Sequence, residues 1–103
     1  MSTRLPQLQQ LLEKSPNDTF LLYAIAMEHK KMGDTRDSLA YFDKVIHVDS
    51  GYISAYHQKG LLLESAGDAE GAKAAYHQGM EAAQKKGDLH ARDEIAALLK
   101  MLE

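Results

Sequence analysis

The chain has no cysteine, only two prolines, no excess of basic charge and no long apolar run. Without cysteine, disulfides, thiolate metal sites and a cysteine nucleophile are all excluded, and nothing requires an oxidising compartment. Both prolines, Pro6 and Pro16, fall early and β-branched residues are sparse, so helix is favoured nearly everywhere. The net charge is -3, and the 12 Lys and Arg divide into six up to residue 52 and six beyond it. No basic block is present to track phosphates, which argues against a nucleic-acid partner. No stretch approaches the roughly 18 apolar residues of a membrane span. The opening MSTRLPQLQQLLEK is amphipathic and lacks the long apolar core of a signal peptide. The expectation is a soluble, cytoplasmic protein with a single domain and one continuous core.

What is present is a repetition. MGDTRDSLAYF begins at Met32 and AGDAEGAKAAY at Ala66, so Gly33-Asp34 and Gly67-Asp68 stand 34 residues apart. A glycine tolerates the left-handed conformation that closes a helix, and an aspartate accepts from the open N–H groups of the next. Gly87-Asp88 repeats the signal. With Pro16 and Asn17-Asp18 as further punctuation, six helices are predicted, over 5–15, 19–32, 34–48, 53–66, 69–86 and 89–102. Leu5, Leu8, Leu11 and Leu12 form the stripe of the first. Asp37 takes the capping-box position behind Asp34.

Sliding the chain by 34 residues superposes its apolar positions. Leu8, Phe42 and Tyr76 form one column, Leu12, Ile46 and Met80 a second, and Leu11, Val45 and Gly79 a third. In the alternating helices Leu22 matches Tyr56 and Ala26 matches Gly60. Phasing the last helix from Asp88 adds Ala96 to the small column and places Ile95 with Ile25; this last step is 36 residues, so the fifth helix must be extended. Small residues at Ala26, Gly60 and Ala96 predict close helix approach, where a large side chain costs roughly 1 to 3 kcal/mol by overpacking. Lys59 does not fit: it occupies the slot of Ile25 and Ile95, so it must snorkel, pair with an acid or mark loose packing.

A 34-residue helix-turn-helix period with these columns resembles the tetratricopeptide repeat (TPR). One repeat supplies Leu22, Ile25, Ala26, Gly33, Ser38 and Phe42, with Val45 and Ser50 departing from the family pattern. The next supplies Tyr56, Gly60, Leu63, Gly67, Ala72 and Tyr76, with Gly79 for alanine and Gln84 for proline. The resemblance divides the chain into an N-terminal capping helix (1–16), repeat one (19–52), repeat two (53–86) and a C-terminal capping helix (88–102). It implies an all-α, right-handed superhelical stack of antiparallel helix pairs, a solenoid in which stacking completes the core.

Residues that could carry chemistry are scattered. His29, His47, His57, His77 and His90 contain no pair at i,i+3 or i,i+4, so no metal site and no cofactor is expected. His29 replaces the family's tyrosine and reads as a structural histidine. His90 and Glu94 stand at i,i+4 and read as a solvated surface pair. There is no G-x-S-x-G, no H-E-x-x-H and no phosphate-cradling glycine loop, so no enzyme is expected.

The resemblance implies instead a protein-protein interaction module. In that family the first helix of each repeat lines a concave groove for peptides or partner helices. Carried over by position, the groove residues are Phe20, Tyr23, Met27 and Lys30 in the first layer and Ser54, His57, Leu61 and Glu64 in the second. The capping helix would add His90, Asp93, Ala97 and Lys100. Phe20, Tyr23 and Met27 could form a contact patch or could pack against the N-terminal helix. The family's cationic clamp for a C-terminal carboxylate is absent, because its five positions hold Tyr23, Met27, Gln58, His90 and Glu94. The expected partner is a protein or peptide, with no nucleic acid and no membrane expected. The alternative is a self-assembling element, in which the apolar end of the stack pairs with a second copy as a homodimer.

Overall fold

The structure, a computed structural model, describes residues 4–103; the first three residues of the expected N-terminal capping segment lie outside them. Six α-helices and no strands are found among the described residues: α1 (Leu5–Lys14), α2 (Thr19–Lys31), α3 (Thr35–Val48), α4 (Ile53–Ser65), α5 (Ala69–Lys86) and α6 (Leu89–Leu102). They fall into two compact units, one ending at Asp49 and one running Ser50–Glu103.

The Gly-Asp pairs explain how the helices are joined. Gly33, Gly67 and Gly87 hold φ between 73° and 83°, a left-handed conformation that side chains oppose. At the first turn Gly33 donates its N–H to the Lys30 carbonyl and Asp34 to the His29 carbonyl, closing α2 in a Schellman motif. The side chain of the same Asp34 then accepts the Asp37 N–H and opens α3. Asp68 and Asp88 act identically, each donating backward (to Leu63 and Ala83) and accepting forward (from Gly71 and Ala91). One aspartate thus terminates one helix and caps the next. This corrects the capping-box expectation: the return bond from the Asp37 carboxylate has no donor, because the Asp34 N–H is already committed to α2.

In the first unit α2 packs against both α1 and α3. Tyr23 meets Phe42, and Ala26 accepts from Ser38 at 2.7 Å, so α2 and α3 run antiparallel. Leu8, Leu21 and Ile25 form an apolar cluster, with Leu5, Leu12, Ala24 and Tyr41 packed onto it. The predicted α1 stripe holds except at Leu11, which is 52% exposed. Leu5, Leu8 and Leu12 share one face at 100° per residue, and Leu11 falls on its flank. Arg4 reaches the buried Glu28 at 3.4 Å, so an ion pair fastens the start of α1 to α2.

The second unit pairs α4 with α5 and α5 with α6. Gly60 sits opposite Tyr76, and Gly79 opposite both Tyr56 and Ile95. These pairings again require antiparallel helices. Ala72, Tyr76, Ile95 and Leu99 make the cluster. Tyr56 donates its hydroxyl to the Ser50 carbonyl at 2.7 Å, pinning the segment before α4. The Leu8, Phe42, Tyr76 column is buried throughout, whereas Ala96 is only half-buried. Lys59 is half-buried, unlike the sealed Ile25 and Ile95 that share its slot.

Candidate interaction faces and the α2–α3 turn

Phe20, Tyr23, Met27 and Lys30 follow one another along one stripe of α2, because steps of three and four residues keep side chains on the same helical face. Their exposure is graded. Phe20 stands 70% exposed, while Tyr23, Met27 and Lys30 are half-buried. Tyr23 is not free of the core: its ring meets Phe42 edge-on, with centroids 5.5 Å apart. The opposite side of α2 carries Leu21, Leu22, Ile25 and Ala26 and is buried. The stripe is therefore neither an apolar packing face nor a fully solvated one.

Ser54, His57, Leu61 and Glu64 form the corresponding stripe of α4. Ser54 is exposed and the other three are half-buried. Glu64 has a structural partner, since it accepts a hydrogen bond from the Tyr76 hydroxyl. Burial, and then this bond to a carboxylate, push the Tyr76 phenol well above its ordinary range. On α6, His90, Asp93, Ala97 and Lys100 are all exposed, and His90 stands 3.3 Å from Glu94 as a surface pair. The first unit also has an open cleft of about 620 Å³, lined by Leu12, Pro16 and Leu22 and by Lys44, His47 and Val48 of α3. None of the predicted α2 groove residues lines it.

One grouping escaped the sequence. His29, Asp34 and Asp37 come together at the α2–α3 turn, and one ligand-type atom from each lies within 4.8 Å of the others. His29 is buried as a structural histidine would be, its ring stacked on Tyr41 at 5.6 Å between centroids. Its Nδ1 stands 3.4 Å from Asp34 Oδ2, without hydrogen-bonding geometry to any partner. The Asp37 N–H, foremost, and the nearby His29 hold the Asp34 carboxyl below its usual range. Histidine-to-histidine spacing could not reveal this cluster; the signal was a histidine five residues ahead of a capping aspartate with a second aspartate three beyond.

The helix pairs and their Gly-Asp turns recur in both units. The sequence model of the tetratricopeptide repeat matches residues 21–52 and 53–86. This chain belongs to the tetratricopeptide repeat family. The TPR repeat-containing protein PA0015 of Pseudomonas aeruginosa is 25% identical over 96 residues, spanning 93% of this chain and 91% of that protein. The solution structure of a TPR domain protein from Salinibacter ruber shares 31% identity and a TM-score of 0.80, over 85% of this chain and 89% of that one. Protein BPP2914 from Bordetella parapertussis, at 24% identity, matches in fold with a TM-score of 0.84 over 99% of this chain and 89% of its own. No helix among the described residues is long and apolar enough to cross a membrane.

Proposed function

We propose that this TPR chain is a non-catalytic interaction module that binds a protein or peptide through the Phe20, Tyr23, Met27 and Lys30 stripe of α2, with Ser54, His57, Leu61 and Glu64 of α4 contributing. The observation that carries the reading is Phe20, an aromatic ring left 70% exposed beside a half-buried tyrosine and methionine. A large exposed ring contributes nothing to the core, whereas aromatic anchors commonly supply much of the energy of an interface. A methionine next to it adapts its shape to the occupant, and Lys30 at the end of the stripe would favour an acidic group on the partner.

The test is a photo-crosslinking amino acid placed at position 20, with position 77 on the exposed face of α5 as control, in extract of the source cell. A discrete adduct from position 20 alone supports the reading, provided that the purified adduct partner binds the native chain and binds Phe20→Ala at least tenfold more weakly. Equal labelling from both positions would overturn it. Light scattering over a concentration series separates the self-assembling alternative, which requires the mass to rise with concentration in the purified chain alone.

A further inference from the structure

We propose that His29, Asp34 and Asp37 form a binding site for a divalent transition-metal cation of the zinc type at the turn between α2 and α3. The donor geometry carries the idea. His29 Nδ1 lies on a side chain only 8% exposed, has no hydrogen-bond partner and faces Asp34 Oδ2 at 3.4 Å. Ligands held about 2.0 to 2.2 Å from a tetrahedral zinc stand roughly 3.4 Å from one another. The Asp37 carboxylate completes a set lying within 4.8 Å. Only the third ligand has to move inward, and Asp37 is exposed and free to do so.

The turn itself presets the other two. Asp34 is fixed twice, by its N–H to the His29 carbonyl and by Oδ1 on the Asp37 N–H, which leaves Oδ2 directed at the imidazole. Stacking on Tyr41 holds the His29 ring in plane. One imidazole nitrogen with two carboxylate oxygens suits zinc and its neighbours, whereas magnesium and calcium favour all-oxygen sets. Three protein ligands leave a position for water, and the carboxylate side of the cluster opens to solvent, so a cation has a route in.

The repeat supplies an internal control. The same turn in the second unit has Leu63, Asp68 and Gly71 at these positions, and the turn before α6 has Ala83, Asp88 and Ala91. Both make the same backward and forward hydrogen bonds. Of these three positions, turn and cap therefore require only the aspartate. Neither the histidine nor the second carboxylate at the first turn is explained by helix termination.

The experiment is calorimetric titration of the full chain with zinc chloride in a non-coordinating buffer near neutral pH, alongside thermal melts with and without zinc. A cation that binds only the folded state must raise the melting temperature. The expected result is one zinc per chain with a saturable rise in melting temperature, and no response to magnesium. Asp37→Asn, an exposed change that leaves the Asp34 cap in place, should weaken zinc binding at least tenfold. His90→Ala, which removes the exposed histidine beside Glu94, should leave it unaltered. Absence of heat and of a melting shift at millimolar zinc would overturn the proposal and leave His29 a structural histidine packed beside Asp34. So would binding that survives Asp37→Asn or disappears in His90→Ala.

Discussion

Gly60 and Tyr76 share a space that admits only one side chain. A Cβ placed on Gly60 would come within 2.7 Å of Tyr76 Cζ and closer still to two other ring carbons. The ring cannot retreat, because Tyr76 is fully buried in the α5–α6 cluster and its hydroxyl is bonded to Glu64. Gly60→Ala gains about 1 kcal/mol of helix propensity but loses more to the clash, and Gly60→Leu loses far more. With each kcal/mol worth about 4 to 8 °C in a chain of this size, Gly60→Leu should lower the melting temperature by on the order of 10 °C or more. Glu70→Gln, which removes only an exposed 3.6 Å pair with Lys73, should change it by no more than a couple of degrees. Coincident melts would mean that α4 and α5 are not in this register.

In the first unit the small-column residue of α2, Ala26, makes a polar contact with α3. Ser38 is fully buried and donates to the Ala26 carbonyl at 2.7 Å, while its counterpart 34 residues on is the buried Ala72. Ser38→Ala removes a hydrogen bond without orphaning its acceptor, since the Ala26 carbonyl still takes part in the α2 ladder. The cost should be about 1 kcal/mol or less by urea unfolding. A loss of 3 kcal/mol would show that the hydroxyl holds the two helices together.

Asp68 acts on two helices, but only its side chain can be removed by mutation. Asp68→Ala abolishes the 2.8 Å cap on the Gly71 N–H and leaves the backbone bond to the Leu63 carbonyl intact. A loss of about 1 kcal/mol is expected, with Asp68→Asn close to wild type because asparagine caps nearly as well. If asparagine proves as damaging as alanine, the charge rather than the cap is what matters there.

Tyr76 governs the alkaline limb of stability. Its folded-state proton is held more tightly than in the unfolded chain, because burial and the Glu64 carboxylate both oppose a phenolate. The raised folded value means that this contribution is fully present below about pH 10, the ordinary tyrosine range, and is lost as pH rises beyond it. Tyr76→Phe should lower stability modestly at neutral pH and flatten the decline above pH 10, measured by urea midpoints across the range.

The sequence spelled out the helices because their punctuation is local: every Gly-Asp pair closes one helix and opens another within three residues. The columns were equally readable, since Leu8, Phe42 and Tyr76 obey one period. Burial at the margins was not, as Leu11 shows; a stripe read from spacing does not say how wide a face the neighbouring helix covers. Nor could spacing bring His29 to Asp34 and Asp37, because the Schellman turn folds the chain back between residues that no helical period relates. The candidate binding stripe of α2 was legible as a pattern, but the division of labour within it was not. Nothing in Phe20 or Tyr23 as letters says that one ring is in solvent and the other against Phe42.

That division yields the last prediction. Tyr23 packs edge-on against Phe42 at 5.5 Å, a geometry worth about 0.5 to 1.5 kcal/mol beyond the area it buries. Tyr23→Ala should therefore destabilise the first unit by about 2 kcal/mol or more, with the loss of half-buried ring surface added. Phe20→Ala deletes a mostly exposed ring and should leave stability within about 0.5 kcal/mol of wild type. Tyr41 is a poor control for binding studies despite lying on α3, because its ring stacks on His29 and carries the Lys44 ammonium 4.4 Å from its centroid. The exposed His77 on α5 serves better. Denaturant unfolding of Phe20→Ala, Tyr23→Ala and His77→Ala should then place Tyr23 alone among the structural residues. If Phe20→Ala unfolds as readily as Tyr23→Ala, the exposed ring belongs to the core and the interaction face on α2 is lost with it.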